Sequence, residues 1–288
     1  RCAVLQDSII TEALINKKVR KILAAKYWLG LNHYTPIDLN GIDADINSEK
    51  AKFLKYELLE NAITVAHDSA RLLPILNLQK RIAHVGIGSS KANAFSTTLD
   101  KYTQVDHFFI PKDASTAVFN EVFKKLKEYH VVIADVQDMS RFAAKNFGLT
   151  ENSISFLKQV NKQNTTILTV FGSPYSLKYF QDFNTIVVGY TDDDDAKSIA
   201  AQIIFGARSA EGTLPVSVGK FQYGDGECTP SNMRLKYGSP LEVNMDINKL
   251  KKVDNIIYKA IEDKIFPGAQ LVVAKYGNKK KKKAYGFH

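Results

Sequence analysis

The segment RIAHVGI (residues 81–87), together with HVVIADV (130–136) and TTILTVF (165–171), decides the fold. Each segment is short, β-branched and almost continuously apolar, which is typical of a strand buried on both faces of a parallel sheet. Amphipathic stretches lie between them and suit helices, the usual crossover connections between parallel strands. The right-handed crossover rule then predicts an α/β protein with a doubly wound, mostly parallel sheet sandwiched between helices, an α/β sandwich. The further predicted strands are AITVAH (62–67), VDHFFI (105–110) and TIVVGY (185–190), and the predicted helices lie near 91–100, 115–128, 151–163 and 192–205.

Helices and loops flank this predicted core on both sides. Before it, the pattern predicts an amphipathic helix that ends at Gly30, a connector over 32–47, and a second helix from about Ser48 to about Asn61. After it, residues rich in Gly, Pro, Ser and Asn predict a loop over 219–240, followed by a helix over 246–263 capped by Asp246 and a strand over 269–277.

Composition excludes several classes of function. The net charge of +9 includes five lysines in one run, Lys279–Lys283, so the rest of the chain carries +4 once those five are left out. The charge is therefore weak evidence for a nucleic-acid partner, and we expect none. No apolar stretch approaches the roughly 18–20 residues that span a bilayer, so no transmembrane segment is expected. Cys2 and Cys228 are too few for a disulfide framework and lack metal-ligand spacing.

Two motifs suggest ligand binding but have simpler explanations. Gly86-Ile87-Gly88-Ser89-Ser90-Lys91 follows a strand and opens a helix, which suits phosphate binding, but it lacks the third glycine of a dinucleotide fingerprint and the spacing of a P-loop. We interpret it as a tight strand-to-helix turn. The run Asp192–Asp195 resembles a metal cluster, but a cap with acids in the first helical turn explains it better. We therefore expect no metal site and no cofactor site.

Candidate nucleophiles and bases are equally isolated. Ser155-Phe156-Leu157-Lys158 matches the S-x-x-K motif of serine hydrolases, but it lies within a predicted helix and lacks a partner motif. His67 and Asp68 are adjacent on a predicted strand, so their side chains point to opposite faces and a dyad is not expected. The histidines in or beside the predicted strands, His84, His107 and His130, are interpreted as buried and hydrogen-bonded.

The ordered set of motifs in residues 1–225 resembles the C-terminal α/β sandwich domain of family 3 glycoside hydrolases. KVRKILAAKYWLGL (18–31) looks like the segment that joins the family's barrel to its sandwich, and ENAITVAHDSARLLPI (60–75) looks like its entry strand. The most similar segment is TIVVGYTDDDDAKSIAAQIIFGARSAEGTLPVSV (185–218). The sequence departs from the family at His67-Asp68, where the family usually has Lys-Asn.

A second resemblance concerns the C-terminal residues. LEVNMDINKLKKVDNIIYKAIEDKIFPGAQLVVAKYGN (241–278) and AYGFH (284–288) look like the first helix and strand of β-lactamase-like serine hydrolases. The lysine run departs from that family, and its side chains could bind phosphates or form a solvated, disordered tail. In that family the nucleophile follows this opening segment, whereas Ser155 precedes it.

Together the two resemblances imply a fusion protein of which this chain is a piece. We expect residues 1–47 to be the linking helix and connector from a barrel, 48–225 to be the sandwich domain, 226–240 to be a linker, and 241–288 to be the truncated start of a β-lactamase-like domain. The chain begins at Arg1 with a charged, amphipathic stretch rather than a signal peptide, which agrees with a piece of a longer polypeptide. The implied partners are the barrel and serine hydrolase domains of the same polypeptide and its carbohydrate substrate, and the implied location is the periplasm or cell envelope.

The resemblance also implies where catalysis occurs. In family 3 the nucleophilic Asp belongs to the barrel, and in the β-N-acetylglucosaminidase-like branch a His–Asp pair on a barrel loop supplies the acid/base. In β-glucosidase-like members a Glu of the sandwich can be the acid/base. The fusion layout favours the first branch, so we expect no catalytic residue in this chain; Glu211 is the tempting acid but lies where the family usually has no catalytic group.

Two other functions stay open at this point. One is a small-molecule-binding module, because doubly wound sheets bind ligands at the carboxyl ends of their strands. The segments expected at those ends are 86–90, 111–115, 135–138 and 172–175. The other is an esterase or peptidase that uses Ser155.

Overall fold

A computed structural model describes residues 11–286, with the backbone alone at residues 279–282. Its centre is a six-stranded sheet in the order β1-β6-β5-β4-β2-β3. Strand β1 runs antiparallel to β6, and the other neighbouring strands are parallel. The predicted α/β sandwich with a mostly parallel sheet is therefore confirmed. The strands are β1 (Thr64–Asp68), β2 (Ile82–Ile87), β3 (Asp106–Ile110), β4 (Val131–Val136), β5 (Thr165–Val170) and β6 (Thr185–Val188).

Helices cover both faces of this sheet. On one face, α5 and α6 pack on side chains of the central strands such as Val132 and Leu168. On the other face, α3, α4 and α7 pack on Ile133 and Ile167. Because successive strand residues point to opposite faces, both faces need apolar residues, and this explains the continuous apolar runs. The helices are α1 (Glu12–Trp28), α2 (Ile42–Ile46), α3 (Glu49–Ala62), α4 (Ala94–Leu99), α5 (Thr116–Lys125), α6 (Glu151–Gln163), α7 (Asp194–Ile204) and α8 (Ile247–Glu262), with short 3₁₀ turns at Leu31–His33, Leu126–Glu128, Ala143–Gly148, Pro174–Tyr179 and Pro240–Val243.

Of the described residues, 11–48 form a unit of their own. Helix α1 confirms the predicted opening helix from Glu12 onward, and the predicted residues before it lie outside the described part of the chain. The expected connector contains the short helix α2, which was not predicted. No residue of α1 or α2 is buried, and Trp28 is 84% exposed.

The C-terminal segment forms a small helix-and-sheet layer. Helix α8 is capped by the Asp246 carboxylate, as predicted. Strand β8 (Gly268–Lys275) pairs antiparallel with β9 (Asn278–Gly286), which also pairs with the short β7 (Lys236–Tyr237). The lysine run lies in β9, where its backbone pairs with β8, so the alternative of a disordered tail is wrong for these residues. Phe287 and His288 lie outside the described residues.

A buried arginine attaches this segment to the sandwich. The Arg208 side chain, at the exit of α7, is 1% exposed and donates hydrogen bonds to Glu60 on α3 and, at 2.9 Å, to Glu242. Its Nη2 also donates to the carbonyl of Tyr237 at 3.3 Å. Burial opposes the charge of Arg208, but Tyr56, Glu60 and Glu242 outweigh it and hold the Arg208 pKa above its usual value.

Replacing Arg208 should loosen the C-terminal segment. We expect Arg208→Ala to lower the free energy of unfolding by about 3 kcal/mol, because it removes the buried cation shared by two partly buried carboxylates. Urea denaturation measures the loss, and limited proteolysis should show earlier cleavage after residue 236. Arg141→Ala, at an exposed arginine that stacks on Phe142, is the matched control and should change stability by less than about 0.5 kcal/mol. Equal effects of the two variants contradict the attachment.

Candidate functional site

The carboxyl edge of the sheet, meaning the loops after β2 to β6, is the first candidate for a ligand site. The turn at Gly88 is shaped by packing: its φ is +87°, and a Cβ there would lie 2.5 Å from the carbonyl oxygen of Gln137. The hydroxyl of Ser89 donates to the carbonyl of Lys91 at 2.8 Å, inside the same turn. Helix α4 begins only at Ala94 and has six residues. The interpretation of this motif as a tight turn is therefore confirmed.

Polar side chains of these loops bind one another. The Asn93 amide donates to the Gln137 side-chain oxygen at 3.2 Å, and Lys112 Nζ donates to the carbonyl of Asp138 at 2.6 Å. The amide of Asp138 donates to Asp192 at 2.9 Å. Hydrogen bonds thus connect the loops after β2, β3, β4 and β6, and these polar groups stabilise the edge of the sheet by binding one another.

The acidic run after β6 caps a helix and pairs with lysines. The Asp193 carboxylate accepts from the Asp195 amide at 2.9 Å and caps α7. Lys55 Nζ lies 3.1 Å from Asp193 and 2.7 Å from Asp195, and buried Lys197 pairs with Asp192. Burial raises the pKa of Asp193, but the Lys55 hydrogen bond and helix amides outweigh burial and lower it. The Asp193 hydrogen bond confirms the interpretation of this run as a helix cap. The described residues, 11–286, contain no group of three or more His, Cys, Asp or Glu that could hold a metal.

Among the described residues, no base is hydrogen-bonded to Ser155. It lies on the exposed face of α6, where its hydroxyl accepts a hydrogen bond from the Gln159 amide at 3.3 Å. An amide cannot take the proton of a nucleophilic hydroxyl. The depression around Ser155 is lined by Asn146, Glu151, Ile154, Lys158, Gln159, Lys162 and Tyr179. The interpretation of the S-x-x-K match as chance agrees with this geometry.

Glu211 lies in a shallow depression of about 380 Å³ at the β1–β6 side of the sheet. Its carboxylate accepts from the Ser209 hydroxyl at 3.0 Å. Tyr190, in the same depression, hydrogen-bonds Thr64 at 2.7 Å, and burial raises the pKa of Tyr190. Glu211 is the one carboxyl group in the described lining, whereas glycoside hydrolysis needs two that flank the bond. The depression lacks the second group.

His67 and Asp68 bind different partners, as the strand alternation predicts. His67 Nδ1 lies 3.7 Å from Glu227. The buried Asp68 carboxylate accepts from the amides of Leu72 and Leu73 at 3.0 Å each, and from the Thr185 hydroxyl at 2.7 Å. Asp68 therefore shapes the turn after β1 and forms no dyad with His67.

A buried polar network on β2, β3 and β4 was only partly predicted. His84 and His107 are hydrogen-bonded, as expected, while His130 is exposed. Sequence reasoning missed that His84 also contacts the buried carboxylate of Asp135, at 2.5 Å. A buried Asp in an apolar strand was the available signal, but the pairing depends on strand order and register.

Neither a protein-family model nor a curated protein matches the sequence. Solved structures do match. One is a fungal multidomain family 3 β-N-acetylglucosaminidase described as having a GCN5-related glucosamine N-acetyltransferase region, with a TM-score of 0.52 and 17% identity over 78% of this chain and 26% of that chain. Another is a family 3 β-N-acetylglucosaminidase from a Paenibacillus species, with a TM-score of 0.51 and 16% identity over 75% of this chain and 41% of that one.

A β-glucosidase from Listeria innocua, solved with isofagomine, has a TM-score of 0.54 and 17% identity over 76% of this chain and 34% of that one. At these identities the likeness establishes a common fold. The chain therefore has the α/β sandwich that occurs in solved structures of family 3 glycoside hydrolases, and it spans 26–41% of the length of these three proteins.

The geometry at Ser155 predicts an unreactive hydroxyl. We expect a fluorophosphonate probe to label the native chain no more than it labels Ser155→Ala, because the Ser155 hydroxyl is hydrogen-bonded to an amide, which cannot take its proton. Gel fluorescence measures the labelling, with an active serine hydrolase as the positive control. Labelling of the native chain that Ser155→Ala abolishes contradicts this account and revives the esterase hypothesis.

Proposed function

We propose that this chain is a non-catalytic α/β sandwich domain of a multidomain family 3 glycoside hydrolase of the β-N-acetylglucosaminidase type. The observation that carries the proposal is the likeness of fold, which covers 75–78% of this chain but a minor part of each of the three solved glycosidases. A chain that matches only part of a larger enzyme fits an accessory domain better than a complete one.

The arrangement of carboxyl groups supports the non-catalytic role. Retaining glycosidases hold two carboxyl groups about 5–5.5 Å apart, and inverting ones hold them about 6.5–9.5 Å apart. Asp68 and Asp135 are buried and held by hydrogen bonds, while Glu211 is the one acid in its depression. We therefore place the nucleophile and the acid/base in a barrel domain, and we assign this chain no catalytic residue, no cofactor and no metal.

Exposed apolar residues in the N-terminal unit support the proposal that this unit links the sandwich to the barrel and packs against it. Tyr27, Trp28 and Leu29 are 70%, 84% and 65% exposed, although all three are large and apolar. Exposed apolar residues grouped at one helix end mark a contact surface. We propose that residues 1–47 link the sandwich to the barrel, and that the sandwich shapes the cleft for the carbohydrate substrate.

The C-terminal segment supports a second domain in the same polypeptide. We propose that residues 226–240 form the linker and that residues 241–288 form the start of a β-lactamase-like domain. In that domain, α8 would be the opening helix and β8 the opening strand. Ile256 on α8 and Val272 on β8 are 68% and 58% exposed, as expected if further elements of the proposed domain cover them. A periplasmic or cell-envelope location is part of the same proposal; among the described residues, no helix is long and apolar enough to cross a bilayer.

The proposal predicts that the isolated chain is inactive. We expect no turnover of an aryl β-N-acetylglucosaminide above that of a mock purification from the same host, because we place both catalytic carboxyl groups in the barrel domain. Release of the aryl group is measured by absorbance, and a polypeptide that includes the proposed barrel serves as the positive control. Glu211→Gln is the matched variant. Turnover that survives purification and is lost in Glu211→Gln contradicts the proposal and makes Glu211 a catalytic acid.

A further inference from the structure

Four ionisable side chains form one chain of contacts from the centre of the sheet to its surface. His84 Nε2 lies 2.5 Å from Asp135 Oδ1, His84 Nδ1 lies 2.9 Å from His107 Nδ1, and His107 Nε2 lies 2.9 Å from Asp100 Oδ1. The side chains of His84 and Asp135 are fully buried, that of His107 is 17% exposed, and that of Asp100 is 49% exposed.

The three contacts need three protons, one between each pair of facing atoms. Two neutral imidazoles with two ionised carboxylates supply only two ring protons, and two charged imidazoles supply four. The observed geometry therefore fits a histidine pair that carries one positive charge between its two rings. A fourth proton would put two N–H donors face to face at the His84–His107 contact, so that contact must open.

The surroundings decide which ring moves. His84 is held on the inner strand β2 between β3 and β4, and Phe95 of α4 packs on it at 5.5 Å. His107 lies on β3, which has β2 as its one neighbouring strand in the sheet, and stacks on Phe109 at 5.8 Å. His107 can reach water and His84 cannot, so a second charge would drive His107 outward and uncover Phe109.

The charged side chains near the network contact other groups. Lys101, next to Asp100, donates to the Thr98 hydroxyl at 3.3 Å and lies over the ring of Tyr237. On α7, Lys197 pairs with Asp192 at the carboxyl edge. The second carboxylate oxygen of Asp135 accepts a hydrogen bond from the side-chain amide of Gln137, two residues further along the chain.

We propose that the His84–His107 contact is a proton-operated latch on strand β3, closed when the pair holds one charge and opened when acid adds a second. The opening takes up one proton, so its equilibrium constant rises by up to about tenfold for each pH unit of acidification. Histidine is the side chain suited to such a switch between pH 8 and 5. The proposal does not depend on the proposed glycosidase function.

Amide hydrogen exchange of the whole chain, read by mass spectrometry at pH 7.5 and 5.5 and corrected for intrinsic rates, tests the latch. We expect the exchange protection of peptides that cover β3 to fall about tenfold or more at pH 5.5, while peptides that cover β6 keep theirs. In His107→Gln, protection of β3 should not change with pH, because the Gln amide can face His84 with either its oxygen or its NH₂. His130→Gln, at an exposed histidine, is the matched control and should behave as the native chain.

Equal protection of β3 at both pH values in the native chain overturns the latch. So does a loss of β3 protection at pH 5.5 in His107→Gln that equals the loss in the native chain. If His107→Gln fails to fold, NMR titration of the histidine rings in the native chain decides. The latch requires that the signals of the His84 and His107 rings change together with pH in two steps, because the two rings share a contact. Rings that respond to pH independently of each other overturn it.

Discussion

Burial of strands β2 and β4 on both faces is the constraint on which the rest of the structure depends. Every residue of these two strands is buried. Their backbone groups must therefore pair within the sheet, and their side chains must be apolar or find a polar partner, because an unpaired buried polar group costs about 2–7 kcal/mol. The parallel ladder meets the first requirement, and α3 to α7 cover the apolar side chains on the two faces.

The polar exceptions follow from the same constraint. Asp135 on β4 is fully buried and contacts His84, which in turn contacts the partly exposed His107 on the edge strand. Arg208 is buried at the exit of α7, and its charge is balanced by carboxylates from α3 and the C-terminal segment. In both cases a charge placed inside the fold ties together elements that are distant in sequence.

Local periodicity was enough to locate the six strands of the main sheet and the helices that cover it, because burial on two faces leaves a strong apolar signal. The caps at Asp193 and Asp246 were also predictable, since a cap is a contact between residues two or three apart. The His84–Asp135 contact was not, because it joins residues 51 positions apart through strand order. Strand β9 was not predicted either: its lysines have low strand propensity, and pairing with β8 decides the conformation.

Covalent labelling tests directly whether the catalytic carboxylates of the proposed parent glycosidase lie outside this chain. A fluorinated glycoside inactivator traps the glycosyl-enzyme intermediate of a retaining glycosidase on its nucleophile. Peptide mapping of the labelled natural polypeptide should place the label on a carboxylate outside residues 1–288. A label on Glu211, or on any other carboxylate of this chain, would contradict the account.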